Sequence, residues 1–448
     1  MDVVLTETQA EEYVHGVCFK TGPPGRVGVE LEWLVHDRAD RALPVPATRL
    51  DGALGAVESA GGLPHGSKLT REPGGQVELS TRSASTLADC VRSTAVDLNA
   101  LREALAPEGL ELTGHGLEPR RDPARLLDHP RYRAMEQHFD ALGPWGRMMM
   151  RATASVQINL DSGDDSDGIT GYRRRWALAH RLGPVLVAAF ANSPLWQGRP
   201  TGWRSTRQWV WANADPDRTR PPQPQPPQSS RSQSQSQSQS SSDADPRGSW
   251  ARYALDAPLL CLRRTPPESW AAPRGLSFRS WLRGDAAERP PTLGDLDYHL
   301  TTLFPPVRAR GWLELRMVDA QDGDGWIVPA VLAATLLDDP AAAEAAWAAT
   351  EPLCTGGSTQ PTAEVWLRAA RLGPADPAIG EAARACFAAA EAALTTAPAT
   401  SAPATTASAT TVGADPGGLL RDALSAFALR YTEQGRCPAD DLLEGLDR

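Results

Sequence analysis

Four short segments in which apolar residues alternate with acidic or amide residues restrict what this chain can fold into. In segment 27–33, VGVELEW, the alternation leaves Glu30 and Glu32 at the polar positions. Side chains two residues apart on a β-strand share one face, so both carboxylates lie on the same side, about 6.5–7 Å apart. Three later segments alternate in the same way: 76–80, 155–161 and 312–317. The chain therefore needs a sheet with one apolar and one polar face.

The polar positions of these segments carry an unusual set of side chains. In chain order they are Glu30, Glu32, Glu78, Gln157, Asn159, Asp161, Glu314 and Arg316. Glu72 lies just upstream of Glu78, beyond a Pro-Gly-Gly bend. For any one strand, a polar face that meets solvent is the ordinary explanation. Glutamate is disfavoured in strands, however, and almost no lysine accompanies these acids to neutralise them.

A sheet face with so many carboxylates repels itself unless cations bind to it. Magnesium takes oxygen ligands and shares them with phosphate oxygens and water. Carboxylates held on rigid strands can thus bind two or more ions that clamp a polyphosphate. Neither a GxGxxG nor a GxxxxGK[ST] phosphate loop occurs in the chain. We therefore interpret the polar face as a metal and phosphate site.

Composition and charge exclude several classes of function. The 45 basic and 55 acidic residues give a net charge of -10, which predicts no nucleic-acid partner. The sequence contains no apolar run of 18 residues and no signal peptide, which predicts no membrane partner. The six cysteines show no CxxC spacing and predict reduced thiols. We expect a cytoplasmic protein, either a monomer or a homodimer.

The remaining chain predicts helices between short strands. Thr6 and Gln9 form a candidate capping box for a helix that ends near Phe19. Further helices are predicted from helical spacing or alanine content at 169–192, 328–350, 376–395 and 419–431. Short strands with long connections favour an α+β fold with an antiparallel sheet over a doubly wound parallel one.

Two segments of unusual amino-acid composition interrupt the predicted helices and strands. Residues 218–248 are rich in Pro, Gln and Ser, and residues 396–416 in Ala, Thr and Pro. Neither segment has enough apolar surface to offset the entropy of ordering. We predict one catalytic domain over 1–395 with a disordered insertion at 218–248, then a linker at 396–416 and a C-terminal helical segment at 417–448.

The motifs resemble those of glutamate–cysteine ligases of the plant and actinobacterial type, within the glutamine synthetase-like superfamily. They occur in the family's order over roughly 20–330: VGVELEW (27–33), REPGGQVELST (71–81), MMMRATASVQINLD (148–161), RSTRQWVWANADPDRT (204–219), RYALDAPLL (252–260) and DLDYHLTTLFPPVRARGWLELRMVDAQ (295–321). Among these ligases, the chain looks most similar to the bacterial enzymes that supply γ-glutamylcysteine for ergothioneine synthesis.

The resemblance implies a fold, a reaction and a metal site. The fold is an antiparallel sheet curved into a funnel and flanked by helices. The glutamate γ-carboxylate attacks the terminal phosphate of the co-substrate ATP, and the amine of cysteine then displaces phosphate from γ-glutamyl phosphate. Two or more Mg²⁺ ions, with Mn²⁺ as an alternative, bind the carboxylates that match the family's ligands: Glu30, Glu32, Glu72, Glu78 and Glu314.

Further site residues follow from the same motifs. Gln157 and Asn159 are assigned to ATP binding. Arg316 is assigned to ATP binding and, with Glu314, to catalysis at the migrating phosphoryl group, although a salt bridge to one of the acids explains Arg316 equally well. The residues assigned to the amino-acid substrates are Arg204, Ser205, Arg207, Trp211 and Tyr253. Arginine matches a carboxylate bidentately, whereas tryptophan at this spacing suits the core equally well.

Two alternatives remain open at this point. A related carboxylate–amine ligase would use the same ATP and metal apparatus with a different amine acceptor. A non-catalytic binding protein could keep the fold without the reaction. The second alternative predicts loss of strand carboxylates, and all of the expected acidic positions are filled.

Overall fold

A computed structural model describes residues 4–222, 245–265, 267–285, 289–355, 358–396 and 416–446. Most of the predicted insertion and of the predicted linker, 223–244 and 397–415, lies outside these residues. Both ends of the range predicted as the insertion are helical. Arg218 is fully buried in a helix, and a second helix begins at Pro246.

In the described part of the chain, the strands form two antiparallel sheets, and the larger one has seven strands. The strands are β1 (Val27–Asp37), β2 (Lys68–Arg71), β3 (Val77–Ser80), β4 (Leu110–Thr113), β5 (Ser155–Asp161), β6 (Leu195–Trp196), β7 (Arg199–Pro200), β8 (Val307–Ala309) and β9 (Trp312–Asp319). The order in the large sheet is β2-β3-β1-β5-β9-β8, and β4 pairs with the second half of β1. The predicted α+β fold with an antiparallel sheet is confirmed.

Helices surround this sheet. They are α1 (Glu7–Cys18), α2 (Ala47–Ser59), α3 (Leu87–Leu105), α4 (Pro130–Asp140), α5 (Trp145–Ala152), α6 (Tyr172–Ala189), α7 (Thr206–Ala214), α8 (Pro216–Thr219), α9 (Pro246–Asp256), α10 (Phe278–Leu282), α11 (Leu293–Leu300), α12 (Ile327–Asp338), α13 (Pro340–Thr350), α14 (Ala363–Leu372), α15 (Pro377–Thr396), α16 (Pro416–Arg430) and α17 (Pro438–Glu444). Within the described ranges, no helix combines the length and the apolarity needed to cross a membrane.

Helix boundaries follow the capping chemistry of the sequence. The Thr6–Gln9 capping box is present at the start of α1, as predicted. The predicted helical stretch 328–350 is divided between α12 and α13, because Asp339 is extended and its carboxylate accepts a hydrogen bond from the amide of Ala342. Pro340 follows at the first position of the new helix, where its missing N–H costs nothing.

The apolar face of the sheet packs against α6 and α12, which are buried along almost their whole length. Val29, Leu31 and Leu315 belong to this core, and a buried side chain of this kind contributes roughly 1.5–3 kcal/mol. A glycine permits the closest approach, since a Cβ atom at Gly183 would stand 1.9 Å from the ring of Trp366. With its apolar face covered, the sheet turns its polar side chains to the opposite face.

Candidate active site

A cavity of about 320 Å³ lies over the polar face of the large sheet. Three chemically distinct groups of side chains make up most of its lining. The acids are Glu30, Glu32, Glu72 and Glu78, which we call the carboxylate cluster. The bases are Arg131, Arg308, Arg310 and Arg316. The largely apolar wall comes from Tyr132, Met135, Met149, Met150, Trp211 and Phe304.

Strand register brings the carboxylate cluster together. Glu32 on β1 is paired directly with Glu78 on β3, and Glu30 is paired with Gln157 on β5. Glu72 reaches the same cavity from the turn between β2 and β3, and its amide donates to the carbonyl of Gln76. The antiparallel pairing therefore concentrates four acids that the sequence distributes over 49 positions, from 30 to 78.

Neutral side chains hold these acids in place. Ser155 Oγ and Gln157 Nε2 donate to the two oxygens of Glu32 over 2.9 and 2.8 Å. Asn159 Nδ2 donates to Glu30 Oε1 over 3.1 Å. Such contacts orient the carboxylates but bring no positive charge to them.

The electrostatics of the carboxylate cluster reflect this lack of countercharge. Burial, with repulsion from Glu32 and Glu78, raises the pKa of Glu72 to about 8. Burial, with repulsion from Glu314 and Glu78, raises the pKa of Glu30 to about 7. Burial and Glu78 also raise the pKa of Glu32. Glu30, Glu32 and Glu72 therefore favour bound protons or bound cations.

Glu314 on β9 has the opposite environment. It is fully buried, and Arg308 Nη2 donates to its two oxygens over 2.7 and 3.0 Å. Arg316 donates to the same carboxylate, and Arg310 lies 3.4 Å away. Burial alone would raise the pKa of Glu314, but the three arginines outweigh it and lower the pKa to about 2.

Glu314, which the family resemblance assigned as a metal ligand, is bound by arginines in this structure. Its oxygens are occupied by arginine N–H groups, and it does not line the cavity. The carboxylate cluster itself has the oxygen donors that a hard divalent cation prefers. In the described part of the chain, no three His, Cys, Asp or Glu side chains are grouped closely enough to hold a metal ion.

Arg316 stands between the two environments. It lines the cavity and donates hydrogen bonds to Gln157 Oε1 and to Glu314. Burial would lower the pKa of Arg316, but the negative charges of Glu314 and Glu32 outweigh burial and raise it. The predicted salt bridge to an acid is therefore present. Its Nε–H group has no hydrogen-bond partner among the described residues, so the guanidinium keeps a free donor.

The two amides assigned to ATP binding differ in position. Gln157 lines the cavity, although both ends of its amide are engaged, by Glu32 and by Arg316. Asn159 is half-buried and does not line the cavity; it donates to Glu30 and accepts a hydrogen bond from Trp312 Nε1 over 3.1 Å. Only Gln157 thus faces the cavity directly.

Helix α7 supplies the candidate substrate residues. Trp211 lines the cavity, and Arg207 lies behind it, with its guanidinium carbon 5.5 Å from the centre of the Trp211 ring. Arg207 is 2% exposed and donates from Nη2 to the carbonyl of Arg316 over 2.8 Å. Arg207 Nε, Arg207 Nη1 and Trp211 Nε1 are buried donors without a hydrogen-bond partner within the described ranges. Unpaired buried donors of this kind are costly unless a ligand satisfies them.

Three other residues assigned to the substrate lie elsewhere. Arg204 precedes α7 and pairs with Asp440 over 2.7 Å. Ser205 is the buried N-cap of α7 and accepts a hydrogen bond from the amide of Gln208. The hydroxyl of Tyr253 donates to the carbonyl of Arg218. These contacts stabilise the surroundings of α7, and none of the three side chains reaches the cavity.

Sequence reasoning did not identify Arg131, Tyr132, Arg308 and Arg310 as cavity residues. Arg308 and Arg310 alternate at strand spacing in VRARG, just before β9, and Arg308 is paired with Glu314 across the β8–β9 hairpin. That alternation was an available signal. Arg131 and Tyr132 begin α4, and the sequence carries no comparable signal for their approach to the sheet.

Comparison with known proteins places these features in a family context. The sequence model of glutamate-cysteine ligase family 2 matches residues 26–445. The chain is 39% identical over 395 residues to the glutamate–cysteine ligase EgtA of Mycobacterium tuberculosis, with 87% of this chain and 84% of that protein covered.

Two further relatives extend the similarity. The glutamate–cysteine ligase EgtA of Mycolicibacterium smegmatis is 38% identical over 382 residues, which covers 84% of this chain and 82% of that protein. The chloroplastic glutamate–cysteine ligase of Arabidopsis thaliana is 32% identical over 280 residues, which covers 60% of this chain and 49% of that protein. The predicted likeness to plant and actinobacterial ligases is confirmed.

Proposed function

The chain belongs to glutamate-cysteine ligase family 2, and from that premise we propose that it joins the γ-carboxylate of L-glutamate to the amine of L-cysteine, with ATP as co-substrate. The products are γ-glutamylcysteine, ADP and phosphate, and the dipeptide supplies ergothioneine synthesis. Similarity to EgtA over most of both chains supports this assignment. The single structural observation that carries it is a cavity lined by four carboxylates and four arginines.

The carboxylate cluster would hold the divalent cations. Glu30, Glu32, Glu72 and Glu78 offer oxygen donors, and the raised pKa values of Glu30 and Glu72 indicate that positive charge is lacking there. Bound Mg²⁺ would supply charge neutralisation for a polyphosphate, which could not otherwise approach four acids. We propose two or more ions, because the acids are distributed over three neighbouring elements: β1, the β2–β3 turn and β3.

The arginines would act on the phosphoryl group that is transferred. An oxygen of the glutamate γ-carboxylate attacks the terminal phosphorus of ATP, and the bond from that phosphorus to ADP breaks. Arg316 faces the cavity with a free Nε–H donor, so it can stabilise charge on the equatorial phosphate oxygens. Glu314 holds Arg316 in place and keeps it charged, which makes Glu314 a supporting residue of this step.

The unpaired donors near α7 suit the α-carboxylate of glutamate. Arg207 and Trp211 together present three buried N–H groups without hydrogen-bond partners within the described ranges. An arginine matches a carboxylate through two parallel hydrogen bonds, and burial strengthens such a pair. This position would direct the γ-carboxylate of the same glutamate toward the carboxylate cluster and Arg316.

The apolar wall suits the acceptor amine. Met149, Met150 and Phe304 line the cavity near Trp211, and they offer no charged group to an acceptor side chain. A small uncharged side chain such as that of cysteine fits this wall better than a charged one. The neutral amine of the acceptor attacks the acyl carbon of γ-glutamyl phosphate, phosphate leaves with the electrons of the C–O bond, and the nitrogen loses one proton to solvent. We place this reaction in the cytoplasm, where ATP and reduced cysteine are available.

A phosphate-release assay tests the proposal. Purified full-length protein is supplied with ATP, Mg²⁺ and glutamate, and release is measured after cysteine, serine, alanine, glycine or a simple amine is added. We expect release to depend on both glutamate and cysteine, with γ-glutamylcysteine identified by mass spectrometry. If phosphate release depends on another amine instead, that amine and not cysteine is the acceptor. If no amine gives glutamate-dependent release, the ligase assignment is refuted.

A further inference from the structure

Asp319 is the last residue of β9 and lies within the motif 295–321, where the family resemblance assigned it no role. We propose that Asp319 is a positioning residue that acts through Arg207: it holds the Arg207 guanidinium in place for the carboxylate of the amino-acid substrate. The inference rests on the proposed function, because it assigns a role within the same site.

The carboxylate of Asp319 collects donors from two separate segments. Its Oδ2 atom accepts hydrogen bonds from the amide of Asn192 over 2.9 Å and from Ser193 Oγ over 2.7 Å. Its Oδ1 atom accepts from Ser205 Oγ over 2.9 Å. Asp319 is only 2% exposed, so these contacts replace water almost completely. Asp319 therefore ties the end of β9 both to the segment after α6 and to the N-cap of α7.

A glycine makes room for this junction. A Cβ atom at Gly116 would stand 2.4 Å from the carboxyl carbon of Asp319, closer than any side chain tolerates. The amide of Gly116 in turn donates to the carbonyl of Asn192 over 3.0 Å. The local chain is thus packed around the Asp319 carboxylate, which leaves the carboxylate little freedom to move.

Arg207 is the one charged partner that Asp319 has among the described residues. Its Nη1 atom lies 3.7 Å from Asp319 Oδ1, too far for a hydrogen bond but close enough for strong attraction between two buried charges. The amide of Arg207 also donates to Ser193 Oγ, which itself donates to Asp319. Asp319 therefore positions the main chain of Arg207 through Ser193 and attracts its side chain directly.

The distance of 3.7 Å between Arg207 Nη1 and Asp319 Oδ1 matters for the role of Arg207. A full hydrogen bond to Asp319 would consume the Nη1–H donor that a substrate carboxylate needs. In the observed geometry, Asp319 compensates the charge of Arg207 while Nε and Nη1 remain without a hydrogen-bond partner in the described part of the chain. Arg207 thus stays charged and oriented by Nη2, which donates to the carbonyl of Arg316, and retains donors for a ligand.

The test is a double-mutant cycle on the full-length protein, with phosphate release as the activity. We expect Asp319→Asn to raise the KM for glutamate by about 10- to 100-fold, because a displaced Arg207 loses its charge-assisted hydrogen bond to the substrate carboxylate. The KM for ATP should change by less than about threefold. In an Arg207→Met background, the same Asp319→Asn change should alter the glutamate KM by less than about threefold, because the residue through which Asp319 acts is absent.

A structural role predicts a different pattern. If Asp319 only supports the fold, Asp319→Asn lowers activity by the same factor in both backgrounds, or raises both KM values together, and the inference is wrong. Asp97→Asn is the matched control, since Asp97 is also fully buried and accepts from the amides of His65 and Ser67, but lies outside the cavity. We expect it to lower the melting temperature without changing the glutamate KM.

A milder variant covers the case in which Asp319→Asn does not fold. Ser193→Ala removes one donor to Asp319 and the acceptor of the Arg207 amide, but leaves both charges. It should raise the glutamate KM several-fold in the wild-type background and leave it unchanged in the Arg207→Met background. If wild-type protein releases no phosphate with any amine, the proposed function fails. If wild-type protein is active and neither Asp319→Asn nor Ser193→Ala shifts the glutamate KM selectively, only the inference on Asp319 fails.

Discussion

The carboxylate cluster and Glu314 lie on the polar face of one sheet, but their surroundings differ in charge. Glu30 accepts a hydrogen bond from the neutral Asn159, and burial with repulsion from other acids raises the pKa values of Glu30 and Glu72 to about 7 and about 8. Glu314 is even more deeply buried, and its pKa is lowered to about 2 because Arg308, Arg316 and Arg310 surround it. Burial alone would raise the pKa in both places, so the arginines decide the sign.

The difference separates two kinds of glutamate that look identical in sequence. An acid whose countercharge is supplied by the protein is part of the structure, because removing it leaves buried arginines unpaired. An acid whose countercharge is missing is costly in the empty protein and becomes favourable only when a cation binds. We therefore expect the carboxylate cluster to matter for activity and Glu314 to matter for stability as well.

The largest expected effect is on catalysis. Glu30→Gln keeps the size of the side chain and removes a charge that would help to hold Mg²⁺ and phosphate. We expect kcat/KM for phosphate release to fall by a factor on the order of 10³ or more. The free energy of unfolding without metal should stay the same or rise, because one repelling charge is gone.

The control for this variant is Glu103→Gln, an exposed position on α3 away from the cavity. Its activity and its denaturation midpoint should both match the wild type. If Glu30→Gln retained near-wild-type turnover, the carboxylate cluster could not be the metal site.

A slightly smaller effect, on stability, is expected at Glu314. Glu314→Gln leaves Arg308 and Arg316 buried without their countercharge, which typically costs about 3–5 kcal/mol of unfolding free energy. Urea denaturation followed by fluorescence measures this loss. The double variant Glu314→Gln/Arg308→Met should recover part of it, since one unpaired charge disappears. If Glu314→Gln were as stable as Glu30→Gln, the distinction between the two kinds of glutamate would be wrong.

The sequence could predict the polar face of the sheet, but not which of its acids are paired with arginines and which are not. Alternation places Glu30, Glu32 and Glu314 on the polar side of their strands, because the period of a strand is two regardless of what surrounds it. The pairing of strands is a tertiary property, and it determines that Glu32 meets Glu78 whereas Glu314 meets Arg308. Only the pairing of Glu314 with Arg308 has a local signal in the sequence, because the two residues lie on neighbouring strands of one tight hairpin.

The segment before α7 shows the same limit. Arg204 and Arg207 are three residues apart and looked equivalent as carboxylate ligands, but Arg204 lies outside the helix and pairs with Asp440, 236 positions later. Ser205 followed by Gln208 is the spacing of an N-cap, and it indicates that the helix begins between the two arginines. Capping chemistry was thus available from the sequence, whereas the contact with the C-terminal segment was not.

The smallest expected effect is the pH dependence of stability without metal. The carboxyl groups of Glu30 and Glu72 have ordinary pKa values of 4.5, raised in the folded protein to about 7 and about 8. Between these values the folded protein binds more protons than the unfolded chain, so the free energy of unfolding falls as pH rises. The slope is at most about 1.4 kcal/mol per pH unit for each group. Glu314 adds nothing in this window, because its contribution is lost only as pH falls from 4.5 toward about 2.

Chemical denaturation in EDTA from pH 5 to pH 8 measures this slope. The wild type should lose stability across the range, and Glu72→Gln should lose less, because one of the two titrating groups is gone. Magnesium added at pH 8 should restore about 2.7 kcal/mol when it reaches one hundred times its dissociation constant, and should restore little at pH 5, where protons occupy the same carboxylates. A wild-type stability that is constant or rises from pH 5 to pH 8 in EDTA would mean that the carboxylate cluster is already neutralised by the protein. It would then resemble Glu314, and the contrast between the two environments would disappear.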